Sequence, residues 1–96
     1  MKIKILFTHK GTNKLYSIAE YIYHNSKSKT ITTRYIKKLQ KFISSTLKKF
    51  PKAGRPSDEI YKNTRKLVFQ SYSIIYMYDE ENSTIHVVTL YRENLP

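Results

Sequence analysis

The sequence contains no cysteine among its 96 residues, and this absence removes several classes of protein at once. Disulfide-stapled scaffolds, thiolate zinc sites and enzymes with a cysteine nucleophile all require that residue. The chain also lacks the run of about 20 apolar residues that a membrane span needs, and its first residues alternate charged and apolar side chains, unlike a signal peptide. We therefore expect a soluble, cytoplasmic protein that does not contact a membrane.

Glycine and histidine are also scarce, and their positions exclude further chemistry. Gly11 and Gly54 stand far apart and form no glycine-rich loop that could cradle a nucleotide phosphate. His9, His24 and His86 do not show metal-ligand spacing, such as two histidines one helical turn apart. We expect neither a metal ion nor a cofactor.

Acidic residues are few: seven Asp and Glu stand against 18 Lys and Arg, and the formal net charge is +11. Such an excess repels itself in a small domain and is typical of proteins that meet a polyanion, such as nucleic acid, anionic lipid or an acidic protein partner. The alternative is compositional, because the frequent Ile, Lys, Asn and Tyr residues have AT-rich codons. Both explanations stay open.

The first quarter of the chain predicts a strand followed by a helix. Residues 2–7 alternate lysines with apolar side chains, which is the period of a half-buried strand, and the lysines suit the edge of a sheet. Apolar residues then recur at helical spacing and predict a helix over residues 9–25, capped by Thr8 or Thr12. We expect Gly11 to weaken the first turn of this helix.

A second, longer helix follows after a short turn at residues 25–28. Ser28 is suited to cap it, and Pro51 ends it. Because the turn is so short, the two helices must be antiparallel neighbours. The predicted apolar stripe of the second helix consists of Ile36, Leu39, Phe42, Ile43, Leu47 and Phe50.

The rest of the chain predicts a loop and an antiparallel meander. Residues 50–63 are rich in proline, glycine and charge and are expected to form a loop. Three β-rich stretches follow at residues 66–70, 71–78 and 84–90, the last two separated by an acidic turn at residues 79–82.

These elements predict an α+β fold in a single domain over residues 1–96. The N-terminal strand must join the meander, since an isolated strand leaves its backbone groups unpaired. We therefore expect a two-helix antiparallel hairpin packed on one face of a four-stranded, mainly antiparallel sheet.

Four of the nine tyrosines lie in or beside the predicted strands, and they have two interpretations. Aromatic side chains on strands usually pack across the sheet, but they also serve as stacking platforms for bases. Packing is the commoner role on strands. The tyrosines concerned are Tyr72, Tyr76, Tyr78 and Tyr91.

Basic residues accumulate from the loop into the first meander strand: Lys52, Arg55, Lys62, Arg65 and Lys66. Arg92 follows the third meander strand. We expect Arg65 and Arg92 to lie at the same end of the sheet, where two guanidinium groups could hold a phosphate through charge-assisted hydrogen bonds. The alternative is that both are simply solvated arginines at strand ends.

Four segments, taken in order, are similar to a known family: SIAEYIYHNS, KKFPKAGRP, TRKLVFQSYSIIYMYDEENSTIHVV and TLYREN. Over residues 18–94 the chain resembles the RelE/ParE superfamily of toxins from type II toxin–antitoxin modules, most closely its ParE-like plasmid stabilisation branch. The resemblance rests on the F-P-x-x-G-R junction, the Arg-x-Leu-Val stretch that continues into tyrosine-rich strands, and the terminal Arg-x-Asn.

The resemblance implies a toxin that is neutralised by a cognate antitoxin with an acidic segment. Members of the RNase branch cleave mRNA on the ribosome, so the partners would be ribosome and mRNA. Members of the ParE branch act on DNA gyrase. The alternatives are a non-toxic basic nucleic-acid-binding module and a degenerate member that is retained only as an antitoxin partner.

For the RNase alternative, the resemblance implies two catalytic arginines, and the chemistry of the reaction requires a proton donor and a proton acceptor beside them. Arg65 and Arg92 would stabilise the transition state, since they match the arginines of the family motif. Tyr91 or His86 would donate a proton, and Lys62 or Lys52 would accept one if a neighbouring cation lowered its pKa. The target-binding residues would be Lys52, Arg55 and Lys66.

Two positions depart from the family pattern. Ser73 stands where many relatives have arginine, and Leu90 stands where many have histidine. These departures weaken the RNase alternative.

Overall fold

A computed structural model describes residues 2–93 as two helices and five strands. In chain order the elements are β1 (Lys4–Phe7), α1 (His9–Ser26), α2 (Lys29–Lys49), β2 (Arg55–Pro56), β3 (Arg65–Phe69), β4 (Tyr72–Asp79) and β5 (Thr84–Arg92). The predicted α+β class and the order of the main elements are confirmed. Neither helix has the combination of length and apolar content needed to cross a bilayer in this part of the chain.

The sheet has the strand order β1-β5-β4-β3-β2. Strands β3, β4 and β5 form the predicted antiparallel meander, and β1 pairs with β5 in parallel at one edge. The predicted count of four strands is wrong, because Arg55 and Pro56 pair with β3 as a fifth. This strand is two residues long and contains a proline, which has no N–H to donate and is tolerated only at an edge.

The helical hairpin begins and turns at the residues that the sequence indicated. The hydroxyl of Thr8 accepts a hydrogen bond of 3.0 Å from the Gly11 N–H, and the hydroxyl of Ser28 accepts one of 3.1 Å from the Ile31 N–H. Both side chains thus satisfy amides that a helix start leaves without partners. Between the helices, Lys27 adopts a left-handed conformation with φ of 57°.

The core lies between the hairpin and one face of the sheet. Helix α2 contributes Leu39, Ile43 and Leu47, each at most 1% exposed, and the strands contribute side chains that include Tyr72 and Tyr76. The packing interpretation is therefore confirmed for these two tyrosines. The remaining members of the core cluster are Ile18, Leu67, Ile74, Ile85, Val87 and Leu90.

Phe50 does not belong to the core stripe of α2. It is the C-cap residue, with a φ of −130° that lies outside the helix, and its side chain is 64% exposed. The expectation that the stripe ends with Phe50 was wrong, because the backbone leaves the helix one residue before Pro51 and the side chain no longer follows the helical spacing of the stripe.

A bulge in β5 brings the start of α1 against the sheet. Ile75 pairs with Thr89 and Tyr76 with Val87, so Val88 is the additional residue. The Thr8 hydroxyl donates to the carbonyls of Val87 and Val88, and the Thr8 N–H bonds the Val87 carbonyl at 3.0 Å. The N-cap of α1 is thus tied directly to the bulge.

Candidate functional site

The sheet has a second face, which points away from the helices and which we call the open face. Strand register places side chains from all five strands on it, including Leu6, Arg55, Lys66, Val68, Ser73, Ile75, Met77, His86, Thr89 and Tyr91. Within residues 2–93 no helix covers this face. Leu6, Val68 and Met77 are accordingly 45%, 51% and 40% exposed, although all three are apolar.

Three of the predicted site residues meet on the open face. Arg55 and Lys66 are direct cross-strand partners of β2 and β3. The ammonium of Lys66 lies 5.8 Å from the centre of the Tyr91 ring, within the range of a cation–π contact. His86 is on the same face but further along β5, opposite Met77.

Glu93 connects this cluster across two strands. Its Oε1 atom lies 2.5 Å from the Lys66 ammonium and also accepts a hydrogen bond from the Ser73 hydroxyl. The hydrogen bond from Lys66 lowers the pKa of Glu93, and the same bond raises the pKa of Lys66. Lys66 is therefore a protonated, charged group near neutral pH and is unsuited to act as a general base.

Arg65 lies on the helix-facing side of the sheet and holds the preceding loop. Its guanidinium donates to the Gly54 carbonyl at 2.7 Å and to the Lys52 carbonyl at 3.4 Å. The Tyr76 hydroxyl completes this arrangement, since it accepts from the Gly54 N–H at 2.9 Å and donates to the Pro51 carbonyl at 2.8 Å. Arg65, which matches an arginine of the family motif, thus stabilises the loop that precedes its strand.

Arg92 also lies on the helix-facing side, at the end of β5. Its guanidinium is 4.5 Å from the centre of the Tyr21 ring of α1 and donates to the Tyr21 hydroxyl. The pair borders a cavity of about 230 Å³ between α1 and the end of the sheet. Lys14, Ser17, Ile18, Tyr72, Leu90 and Tyr91 complete its lining.

The predicted proximity of Arg65 and Arg92 is wrong. Arg65 pairs with Tyr76, whereas Arg92 pairs with Tyr72, four residues further along β4. This offset corresponds to about 13 Å along the strand direction. The reason is geometric: the first and third strands of a meander run in the same direction, so the start of one and the end of the other lie at opposite ends of the sheet.

The two predicted lysines of the loop region lie apart from the cluster. Lys52 forms an exposed ion pair of 2.6 Å with Glu80, beside Phe50 and Tyr78. Lys62 is exposed in the turn before β3. No three His, Asp or Glu side chains in the described range are grouped so that they could hold a metal ion.

Sequence reasoning missed Ser73 and Glu93 as members of the cluster. Ser73 was noted only as a departure from the family pattern, and Glu93 only as the middle residue of the terminal Arg-x-Asn. Alternation along the strands could have placed Ser73, Lys66 and Tyr91 on one face. Asn94 of the same motif lies outside the described residues.

Comparisons with known proteins give one family and several related structures. The family model of the ParE toxin of the type II toxin–antitoxin system, parDE, matches residues 5–94. A sequence comparison with curated proteins gives no significant match.

Among solved structures, the chain is similar to the chromosomal ParDE toxin–antitoxin system of P. aeruginosa, with a TM-score of 0.78 and 16% identity over 97% of this chain and 98% of that one. It is also similar to the toxin–antitoxin complex RelBE2 of Mycobacterium tuberculosis, with a TM-score of 0.72 and 17% identity over 97% and 93%. The isolated E. coli RelE toxin is less similar, with a TM-score of 0.57 and 12% identity over 98% and 87%. At these identities the structures support the fold.

Proposed function

Since the chain belongs to the ParE toxin family of type II toxin–antitoxin systems, we propose that it arrests growth by binding DNA gyrase and not by cleaving RNA. The observation that carries this choice is the separation of Arg65 from Arg92. RNA cleavage by attack of a 2′-hydroxyl needs charge stabilisation, a base and an acid around one phosphate. The two arginines that would stabilise this phosphate lie at opposite ends of the sheet. Arg65 contacts the loop at Gly54, and Arg92 contacts helix α1 at Tyr21.

The state of Lys66 supports the same choice. An RNase needs a group that accepts a proton near neutral pH, and a lysine does so only when its pKa is lowered. Glu93 raises the pKa of Lys66 instead. The open face is therefore better suited to hold a binding partner through charge and apolar contact than to transfer protons.

We propose an acidic antitoxin as the second partner. A net charge of +11 would steer an acidic segment to this surface and accelerate association. The groove between the helices, about 530 Å³ in volume, offers apolar side chains to such a segment. Its lining includes Phe7, Leu15, Tyr16, Ala19, Ile36 and Lys37. Edge strand β1, which borders the groove at Phe7, is the other docking position for such a segment.

Cleavage of ribosome-bound mRNA remains the second candidate, because one observation favours it. Arg55, Lys66 and Tyr91 do meet on one accessible face, and His86 shares that face. A basic surface with an aromatic ring is a common feature of proteins that bind single-stranded RNA.

Induced expression in a bacterial host, followed by two assays on purified protein, tests the proposal. We expect growth arrest, inhibition of DNA supercoiling by gyrase, and no new mRNA ends in a toeprinting assay with translating ribosomes. We expect Arg55→Ala, which removes a cation from the open face, to weaken the arrest, while Arg34→Ala, at an exposed arginine on α2, leaves it unchanged. Ribosome-dependent mRNA ends without any effect on gyrase would overturn the proposal in favour of an RNase. Nucleic-acid binding without arrest would instead indicate a non-toxic binding module.

A further inference from the structure

We propose that Lys66 and Ser73 form a binding site for an oxyanion, either a phosphate or a carboxylate group, which Glu93 of the same chain occupies when no ligand is present. The two donors belong to neighbouring strands and converge on a single atom. The Lys66 ammonium lies 2.5 Å from Oε1 of Glu93, and the Ser73 hydroxyl donates to the same oxygen.

The burial of the donors distinguishes this contact from an ordinary surface ion pair. The Lys66 side chain is 13% exposed, and Ser73 is fully buried. In the pairs Lys52–Glu80 and Arg55–Glu59, by contrast, every side chain is at least 60% exposed. Exposed pairs contribute little, whereas a largely desolvated ammonium and a buried hydroxyl require an acceptor.

The position of Glu93 allows a competing anion to displace its carboxylate from Lys66 and Ser73. It follows the last residue of β5, and its backbone N–H is held by the Ser71 carbonyl at 2.7 Å. Its carboxylate can therefore leave by side-chain rotation alone, while the backbone stays in place. The side chain is 34% exposed, so a competing anion can approach from solvent. Because the two donors would otherwise lack an acceptor, departure of Glu93 favours entry of another oxyanion.

The surroundings determine the chemistry of the ligand. Arg55 is the cross-strand partner of Lys66, and the Tyr91 ring borders the Lys66 ammonium at 5.8 Å. With Glu93 displaced, two cations face the ligand, and a group with several negatively charged oxygens satisfies them through charge-assisted hydrogen bonds. The site is independent of whether gyrase or mRNA is the toxin's target.

Binding of two small probes, inorganic phosphate and glutarate, tests this site. We expect Glu93→Gln to bind at least one of them about ten-fold more tightly than the unmodified chain, which corresponds to Glu93 occupying the site for about nine-tenths of the time. The matched control is Glu80→Gln, which raises the net charge by the same single unit but frees Lys52 instead. We expect this control to leave both affinities unchanged, as measured by calorimetry at low salt.

A second pair of variants locates the binding. We expect the gain to disappear in Glu93→Gln combined with Lys66→Gln, and to decrease in Glu93→Gln combined with Ser73→Ala. Circular dichroism melts verify that each variant is folded. A preference for phosphate would indicate a nucleic-acid-like ligand and a preference for glutarate an acidic protein segment, and either supports the site. Equal gains in Glu93→Gln and Glu80→Gln, or no saturable binding by Glu93→Gln, would overturn it.

Discussion

Gly11 is placed where the first turn of α1 touches the bulge of β5, and the contact leaves no room for a side chain. A Cβ atom added at this position would lie 2.5 Å from the Val87 carbonyl oxygen. This oxygen is fixed, because it also accepts hydrogen bonds from the N–H and the hydroxyl of Thr8. The glycine that the sequence suggested would weaken the helix is therefore what allows the helix to begin against the sheet.

We expect Gly11→Ala to destabilise the protein by about 1–3 kcal/mol, the usual cost of overpacking a rigid site. The sign of the change in unfolding free energy is informative, since the same substitution at an exposed position within a helix stabilises by about 1 kcal/mol. Urea unfolding measures the effect. Asn13→Ala, at an exposed position of the same helix, is the control and is expected to change stability by less than about 0.5 kcal/mol. A more stable Gly11→Ala would contradict the close contact.

Tyr76 is the second residue whose task becomes clear only in three dimensions. Its ring is fully buried, and its hydroxyl holds the loop through Pro51 and Gly54. We expect Tyr76→Phe to cost about 1–3 kcal/mol, because the Gly54 N–H would be left buried without an acceptor. Thermal unfolding provides the measurement, with Tyr16→Phe as the control, since Tyr16 is 66% exposed. Equal melting temperatures for the two variants would show that the hydroxyl does not hold the loop.

At the scale of single residues, the alternation of side chains along a strand was predictable from the sequence, and the relative direction of the strands was misjudged. Arg55, Lys66 and Tyr91 were identified and do lie together, since alternation along neighbouring strands places them on one face. Glu93 could not be found in this way, because it lies beyond the regular strand and reaches Lys66 through its side chain. The predicted proximity of Arg65 and Arg92 depended on the direction of the strands and was wrong.

Among the elements, the joint between the two helices has a backbone geometry that is unfavourable to its sequence. Lys27 connects α1 to α2 in a left-handed conformation, and its N–H bonds the Tyr23 carbonyl at 2.7 Å. Residues with a Cβ atom are strained in this region, where glycine is the usual choice after a helix.

We expect Lys27→Gly to stabilise the protein by about 1 kcal/mol, because glycine adopts the required φ without steric cost. Lys27→Ala separates this effect from the loss of the lysine charge, since alanine retains the Cβ atom and is expected to give no gain. Urea midpoints of the two variants provide the comparison. If alanine stabilised as much as glycine, the benefit would arise from removal of positive charge.

Elements with a regular period were predictable, and those fixed by distant contacts were not. The two helices and the three meander strands follow from side-chain spacing within each segment. Strand β2 has only two residues, one of them proline, and it forms because Arg55 meets Lys66 across the sheet. The bulge at Val88 likewise depends on Thr8, about 80 residues earlier in the chain.

For the molecule as a whole, three buried or half-buried phenols and one ion pair contribute to the response to alkaline pH. Burial raises the pKa of Tyr35, Tyr72 and Tyr76 above 10.0, and the bond to Glu93 raises the pKa of Lys66 above 10.5. As pH rises, the unfolded chain therefore releases these protons before the folded chain does. The stability that the four groups contribute is complete below pH 10 and is lost as pH rises through their folded pKa values.

We expect the urea midpoint to be the same at about pH 8 and pH 9 and to fall steeply above about pH 10. Tyr72→Phe removes one of the titrating groups and should make the decline less steep, whereas Tyr16→Phe should not change it. A midpoint that stayed constant up to about pH 11 would show that the phenols ionise as easily in the folded protein as in the unfolded chain.

The parallel pairing of β1 with β5 has a consequence for the order of assembly. Ile5 pairs with Ile85, so nearly the whole polypeptide separates two adjacent strands. Closing so long a loop is entropically costly, and such contacts tend to form late in folding. Strand β1 is then the last to dock on the sheet and the first to detach from it. Strand β1 is hydrogen-bonded to a neighbouring strand on one side only, whereas β4 has a neighbour on both sides. The amides of β1 should therefore exchange with deuterium well before those of β4.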